Sequence, residues 1–589
     1  MPTVLLESFR PGEFGRSFRF EGLERVVMAS QTEEVIPAFR EVEKAVAAGR
    51  HAAGFVSYEA AAALNTDLPV CVVGDLPLVW FGIFRERIEV EAGTTKAEGH
   101  DCRLISPTLS VGKEAYRQAI AAIREYIATG HTYQVNYTVR KRFDFDGNPF
   151  GLYRRICRSQ RSAFSAWIDT GRSKIISASP ELFFALRDGA LTMRPMKGTA
   201  QRAPGALDDR VVRKRLRESA KERAENLMIV DLVRNDLSVI AESGTVATPT
   251  LFDIETYPTV HQMTSTVTAR LRTGTSLIDI FRALFPCGSV TGAPKRRTME
   301  IINELEEGPR GVYCGAIGFV SPGPEAVFSV GIRTAVLDTA LGTGEMGIGS
   351  GITWDSDVGA EHAECLAKGV FLTQEHRDFS IIETIRWEDG VCFLLDRHLK
   401  RLALSADYFG FRFDEAMITR QLEDVVRGLT KPHKIRLLLD VNGELTIENF
   451  PLHRQPDDQA PALVAIAGRR IDSSDPFLYH KTTRRTLYEE ERVRRPECVD
   501  VIFFNEREEV TEGSYTNVAA LLDGKLVTPP VRCGLLPGTF REALIEGGVL
   551  RERVLTLDDL RAADEILLIN SVRGWRKVYL SGEEVRSNA

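Results

Sequence analysis

Apolar and polar positions follow two periods along this chain, and the way they are mixed changes once. Up to about residue 376, long amphipathic helical stretches such as EAYRQAIAAIREYIATG (114–130) are interleaved with β-rich runs such as SKIISASPELFFAL (173–186). A new unit then opens with FSIIETIRWEDGVCFLLDRHLKRLALSADYFGF (379–411). Its pattern predicts a strand, a turn at Glu-Asp-Gly, a second strand, and a helix with Leu399, Leu402 and Leu404 among its apolar positions. The short polar stretch TQEHRD (373–378) is placed as the junction, giving domains of 1–376 and 377–589. Neither part contains an internal repeat, a low-complexity tract or a long Gly/Ser linker.

Length supports the division, because 589 residues exceed what one hydrophobic core usually serves. Apolar content of 43% and charged content of 27% are those of a soluble globular protein. The net charge of −7 is mixed in sign throughout, and no Lys/Arg run with interleaved aromatics suggests a nucleic-acid face. Glu7 interrupts the start before an apolar signal region forms, so no secretory leader is expected. The most apolar region, LPVCVVGDLPLVWFGIF (68–84), is broken by Asp75 and two prolines, so no membrane span is expected. The nine cysteines are scattered singly with no C-x-x-C pair. They read as reduced thiols of a cytoplasmic protein, not as a disulfide scaffold or zinc site.

Several short motifs carry candidate chemistry. In MRPMKGTA (193–200) a lysine, Lys197, sits in a proline-stiffened, glycine-permitted turn; alone it would be a solvated surface charge. SASPELFF places Glu181 in an apolar strand. KERAENLMIVDLVRND (221–236) puts Glu222 and Glu225 at i,i+3, on one helix face. GSGITWDSDVGAEHAECLAKG (349–369) puts Glu361, Glu364 and Lys368 on one face, just after Gly349 and Gly351. Arg333 of IRTA follows an apolar strand. Two helices each presenting paired carboxylates suit a hard divalent cation such as Mg²⁺, whereas either pair alone reads as an ordinary solvated helix face. In the second unit, Lys481 of LYHKTTRRTLYE lies between a predicted strand and a helix, a fitting place for a buried Schiff-base amine. Glu512 follows a β-rich run beside Gly513, where a carboxylate can partner a pyridinium nitrogen. The Gly538–Thr539 step opens a helix and offers N–H groups and a hydroxyl to a phosphate, although Glu-Gly and Pro-Gly-Thr steps also serve as turns and caps.

Residues from about 110 to 372 resemble the chorismate-utilising family that includes anthranilate synthase component I and aminodeoxychorismate synthase component I. The resemblance is carried, in the family's order, by GHTYQVN (130–136), SPELFF (179–184), PMKGTAQR (195–202), AENLMIVDLVRNDL (224–237), VHQMTS (260–265), GSVTGAPK (288–295), RGVYCGAIGF (310–319), IRTA (332–335) and GSGITWDSD…EHAE (349–364). It implies a large β-sheet sandwich with outer helices. At the position of Lys197, anthranilate synthases carry alanine and aminodeoxychorismate synthases often carry lysine; a partly desolvated lysine can attack carbon. The resemblance thus implies that Lys197 attacks C2 of chorismate as the C4 hydroxyl leaves, assisted by Glu181 as acid, and that ammonia then adds at C4. It further implies that Glu222, Glu225, Glu361 and Glu364 form the Mg²⁺ shell. Tyr313, Arg333, Gly349, Gly351 and Lys368 would bind the substrate carboxylates, and His261 matches an active-site histidine. The segment LLES (5–8) resembles one that holds tryptophan in related enzymes, and here marks the first strand. No G-x-C-x-G glutaminase segment is present and Cys287 reads as packed, so a separate glutamine amidotransferase subunit supplying ammonia is implied.

Residues from about 379 to 589 resemble the fold-type-IV pyridoxal-phosphate family of branched-chain aminotransferases, D-amino-acid aminotransferases and aminodeoxychorismate lyases. That implies a two-subdomain α/β domain and an α+β chain as a whole. Lys481 becomes the Schiff-base lysine and Glu512 the pyridine-nitrogen partner. Arg401 of HLKRL, the Gly538–Thr539 region and Ser571 become the phosphate site. The family often reads L-P-G-x-T-R where this chain has LPGTFR, which leaves Phe540 only its backbone N–H for that contact. Members are typically dimers, implying a homodimer through this half. The motifs of this half do not choose between lyase and aminotransferase; the fusion does, because a half that makes aminodeoxychorismate joined to its lyase completes a route to p-aminobenzoate. The rival reading is an anthranilate-synthase-like half with an aminotransferase half, and the bland one a degenerate scaffold.

Overall fold

In the computed structural model, residues 3–10, 12, 14–71, 74–95, 102–372, 379–452 and 461–581 are described; the junction TQEHRD lies outside them. The described residues of 1–201 and 214–376 form one compact unit, and those of 202–213 and 377–589 a second. Residues 202–213 thus group with the second unit, where the Arg202 guanidinium pairs with Asp209 and lies 3.7 Å over the Tyr408 ring.

In the first unit, 18 strands join in one sheet network. A core drawn almost wholly from strands (Phe18, Phe55, Trp80, Ile168, Ile175, Phe319) separates its layers. Two further cores lie between sheet and helices. One takes Val35, Phe39 and Val42 from helix Thr32–Ala47 and Ile229, Val233 and Leu237 from helix Ala220–Ser238. The other takes Ile120 and Ile123 from helix Lys113–Ala128 and Leu152 and Ile156 from helix Pro149–Gln160. This is the sandwich with outer helices. The predicted helix at 114–130 forms over Lys113–Ala128 and buries Tyr116, Ala119, Ile120 and Ile123, one apolar stripe at helical spacing. It stops before Gly130, which takes φ 77°, the left-handed turn that glycine makes cheaply. The LLES segment lies on and beside the first strand, Thr3–Glu7.

Two local expectations change. The run 173–186 is two strands, Ser173–Ser179 and Leu182–Arg187, because Pro180 cannot donate to a ladder. Glu181 therefore sits in the break. Just beyond it, Phe183 and Phe184 pack on Phe281 with ring centroids 6.0 and 5.6 Å apart. Each such buried phenylalanine contributes about 1.5–3 kcal/mol, which anchors the segment carrying the carboxylate. Lys197, expected in a tight turn, lies instead in strand Met196–Gln201. There Met196 opposes Thr264 and Thr199 opposes Gln262, so one extra residue is accommodated as a bulge. Gly198 at φ 101° makes that bulge, which re-aims the neighbouring side chain.

The second unit holds two sheets. Strand Ile381–Glu388 turns through Asp389–Gly390, both at positive φ, as a two-residue Asp-Gly hairpin requires, into Val391–Cys392. Helix Leu395–Phe409 follows, with Leu399 and Leu402 buried and Leu404 at its flank. A second sheet of eight strands runs from Val510–Gly513 through Ala462–Ile466 and Glu565–Asn570 to Arg551–Glu552. Each sheet has its own core, the expected two subdomains. Lys481 is preceded by a short 3₁₀ turn, Pro476–Leu478, not a strand. Its carbonyl accepts from Ile382 N at 2.8 Å, so the loop is stitched to the strand Ile381–Glu388. None of the nine cysteines forms a disulfide. Among the described residues no helix is long and apolar enough to cross a membrane.

Candidate active sites

A cavity of about 300 Å³ in the first unit is lined by residues from five of the predicted motifs: Glu181, Lys197, Glu222 and Glu225, Arg333, and Gly349, Gly351, Glu361, Glu364 and Lys368, with Tyr313 and Asn136. Strand pairing brings the glycines there, since Thr343–Ile352 runs antiparallel to Gln134–Asp146 with Gly351 opposite Asn136 and Gly349 opposite Thr138. A Cβ on Gly349 would collide with the Tyr137 carbonyl, so glycine is required there by close approach, and one on Gly351 would displace the Lys197 amine and the Gln134 amide. His261 is buried on strand Val260–Arg270, its Nδ1 3.1 Å from Thr256 Oγ1; it does not line this cavity.

Electrostatics separate the two central groups. Burial pushes the Glu181 carboxyl up to about 7, against a bond from Ser289 and one from Met196 N at 3.3 Å. Burial also lowers the Lys197 amine from its ordinary 10.5; Glu225 pulls it back up and Lys368 adds to the lowering. The result is a carboxyl able to hold a proton near neutrality beside an amine able to lose one, as acid and nucleophile need. Asn226 Nδ2 holds the Lys197 carbonyl at 3.0 Å, and Ser265 Oγ donates to Asn226 Oδ1 at 2.6 Å. The Lys197 backbone is therefore fixed independently of its side chain. Arg333, at φ 50°, donates through Nη1 to Gln160 Oε1. Tyr313 packs on Gly347, which has no room for a Cβ.

The four glutamates line the same cavity from two helices. Burial and then the Glu225 charge raise the Glu222 carboxyl. Glu364 pairs with Lys368 at 2.7 Å and Glu361 accepts from Ser356 Oγ at 2.7 Å. The donor type suits a hard cation, yet among the described residues no three His, Cys, Asp or Glu side chains converge on one point.

In the second unit, burial, helped by the Arg485 and Arg401 charges and opposed by Glu383 and Glu512, lowers the Lys481 amine to about 7. Burial raises the Glu512 carboxyl to about 7, although Tyr488 Oη donates to it at 2.8 Å and Leu536 N at 3.1 Å. Arg401 donates through Nε and Nη2 to Glu383, 2.8 Å each, and through Nη1 to Pro537 O at 3.1 Å. Gly538 caps helix Thr539–Glu546, and a Cβ there would collide with Asn517 Oδ1. Thr539 is buried with its Oγ1 3.3 Å from His398 Nε2. Ser571 is buried just past strand Glu565–Asn570, whose Ile569 opposes Asn517. A depressed amine, a carboxyl held for a ring nitrogen and a guanidinium beside a helix start fit pyridoxal phosphate. The sequence reading missed Gln134, Gln160, Glu383, His398 and Tyr488. A carboxylate inside the apolar run SIIETI was the one readable signal, since such a charge is buried only when paired.

Residues 13–374 match the family described as chorismate binding enzyme. The chain belongs to that family. Residues 380–579 match amino-transferase class IV. Among curated relatives, this chorismate-binding enzyme is 42% identical over 259 residues to aminodeoxychorismate synthase component 1 of Klebsiella aerogenes, covering 44% of this chain and 57% of that one. It is 44% identical over 257 residues to aminodeoxychorismate synthase of Streptomyces griseus, covering 44% and 35%. It is 38% identical over 266 residues to anthranilate synthase component 1 of Cereibacter sphaeroides, covering 45% and 53%. The chain thus spans about half the length, or less, of the curated relatives it matches. The crystal structure of anthranilate synthase component I from Streptococcus pneumoniae shares the fold at TM-score 0.54 and 23% identity, over 62% of this chain and 93% of that one.

Proposed function

We propose that this chain is a cytoplasmic two-step enzyme. Residues 1–376 convert chorismate and ammonia to 4-amino-4-deoxychorismate, and residues 377–589 eliminate pyruvate from it to give p-aminobenzoate. The observation that carries the reading is Lys197 itself, a lysine of lowered basicity in one cavity with a carboxyl near neutrality. The matched relatives named for aminodeoxychorismate synthesis support it.

In the first step the unprotonated Lys197 Nζ forms a bond to C2 of chorismate while Glu181 gives its proton to the departing C4 hydroxyl, which leaves as water. Ammonia then bonds to C4, the C2–Nζ bond breaks, and the amine is regenerated. Arg333 grips a substrate carboxylate with its fork, Lys368 and Tyr313 line the same pocket, and Gly349 and Gly351 leave room for it. Mg²⁺, held by carboxylates among Glu222, Glu225, Glu361 and Glu364, would supply charge neutralisation for the substrate carboxylates. Ammonia comes from a separate glutamine amidotransferase subunit.

In the second step pyridoxal phosphate supplies the electron sink when bound. Glu512 holds the ring nitrogen, and Arg401, Thr539, Ser571 and the Gly538 turn hold the phosphate. Lys481 Nζ, with its proton affinity near neutrality, takes the C4 proton of the substrate. The pair of active halves acts as a homodimer through the second.

The assay is direct: chorismate, Mg²⁺, pyridoxal phosphate and ammonium are incubated with the purified chain and the products separated. p-Aminobenzoate with equimolar pyruvate is expected. Anthranilate would overturn the Lys197 assignment, and aminodeoxychorismate without aromatic product would turn the second half toward aminotransferase chemistry. A second test uses pH. At constant free ammonia, the first step is expected to slow as pH rises through about 7, because Glu181, raised to that value, loses its proton there. Glu181→Gln is expected to cost about 10²–10⁴-fold and to abolish that limb; a variant that kept it would assign the acid elsewhere.

A further inference from the structure

The carboxylate of Glu383 does no chemistry in the steps above, yet it is buried and held by two cation-forming side chains, Arg401 and His398. It lies on strand Ile381–Glu388 with 1% of its surface exposed, among Ile381, Ile382 and Ile385. A bare carboxylate there would be costly. It accepts instead from His398 Nδ1 at 2.7 Å and from Arg401 Nε and Nη2 at 2.8 Å each. Burial works to raise its pKa, but the Arg401 charge and then His398 hold it down at about 2, so it is an anion at any working pH.

The arrangement leaves a defined remainder on each partner. Arg401 has five N–H groups; two go to Glu383 and one to Pro537 O. What remains is one N–H on each terminal nitrogen, two charged donors of the kind that grip an oxyanion. His398, fixed through Nδ1, places Nε2 3.3 Å from Thr539 Oγ1; as the doubly protonated imidazolium it donates to that oxygen and leaves the hydroxyl hydrogen to an anion. Thr539 is the first residue of a helix, where free N–H groups favour an anion. One carboxylate thus aims two arms at one place: Arg401 directly, and the Thr539 hydroxyl through the imidazole. The arms come from different segments, 138 residues apart in sequence, and meet through Pro537 O and His398.

We infer that Glu383 is the positioning residue of a phosphate-binding site, orienting the Arg401 guanidinium and, through His398, the Thr539 hydroxyl to receive the phosphate of the cofactor. The inference rests on the reading of Lys481 as the cofactor-bearing residue.

Binding is measured on the cofactor-free full chain by titrating with pyridoxal phosphate and, separately, with pyridoxal, which lacks the phosphate, following the visible absorbance of the lysine-bound cofactor. In Glu383→Gln the affinity for pyridoxal phosphate is expected to fall about 10–100-fold, the loss typical of a deleted charge-assisted partner. Affinity for pyridoxal should change less than about 3-fold. His398→Gln, which leaves the Arg401 pair intact, should lose only the Thr539 arm and show a smaller, equally phosphate-selective loss. If Glu383→Gln does not fold, His398→Gln alone decides the matter. An equal loss for both compounds would make these residues merely structural, and unchanged affinity for pyridoxal phosphate would also overturn the inference. Absence of any visible band in the unsubstituted chain would overturn the Lys481 assignment itself.

Discussion

Lys197→Ala is expected to reduce formation of aminodeoxychorismate by about 10³-fold or more, equivalent to at least ~4 kcal/mol of transition-state stabilisation. The substitution removes the atom that bonds to C2, and Lys368, which lines the same cavity, is already held by Glu364 at 2.7 Å and by Gly349 O at 2.9 Å. The backbone should survive, because the bulge at Gly198 and the bond from Asn226 Nδ2 to the Lys197 carbonyl do not involve the side chain. Substrate binding should survive as well, since Arg333, Tyr313 and the glycines are untouched. The loss should therefore fall on kcat with little change in KM, the pattern of an interaction made during the reaction and not before it. A trace of anthranilate in the product mixture would fit a site stripped of its nucleophile. Undiminished synthesis would sink the assignment.

Lys481→Ala is expected to abolish the visible absorbance of bound cofactor and to stop p-aminobenzoate formation, so that aminodeoxychorismate accumulates. Both effects trace to one amine. Burial brings it to about 7, so that near neutrality a large fraction is unprotonated and able to bond to the cofactor. The same amine, once released, exchanges the C4 proton. Glu512, Arg401 and Thr539 remain, so the variant should still bind pyridoxal phosphate without covalent attachment. The first step should proceed at its normal rate, because none of its residues is altered. Normal p-aminobenzoate output from this variant would refute the role of Lys481.

How far these sites could be read in advance differs by residue. Glu222 with Glu225, and Glu361 with Glu364, were legible as pairs because helical spacing puts i and i+3 on one face. That both faces line one cavity was not legible, for each helix alone is equally consistent with a solvated charge pair. Lys197 was legible as a residue type in a telling motif. Its setting was misread as a turn, because the bulge depends on register against Thr264 and Gln262, residues more than 60 positions away. Glu181 was assigned to a strand interior, although Pro180 was visible beside it and is the reason it lies in a break.

The sequence by itself determined the elements and the chemistry on offer: helices where apolar residues recur at helical spacing, a hairpin where Asp-Gly follows a β run, lysines and carboxylates in two separate sets of motifs. Such signals are local, and neighbours within a few residues suffice to produce them. Only the tertiary structure decided how the groups behave. Burial under strands and helices brought from across the first unit makes the amine of Lys197 less basic and the carboxyl of Glu181 less acidic. Glu383 became a positioning group because His398 and Arg401 turn onto it from the following helix. Burial and through-space charge fall off with distance in space, not along the chain, and so they are settled only when the chain has closed around each site.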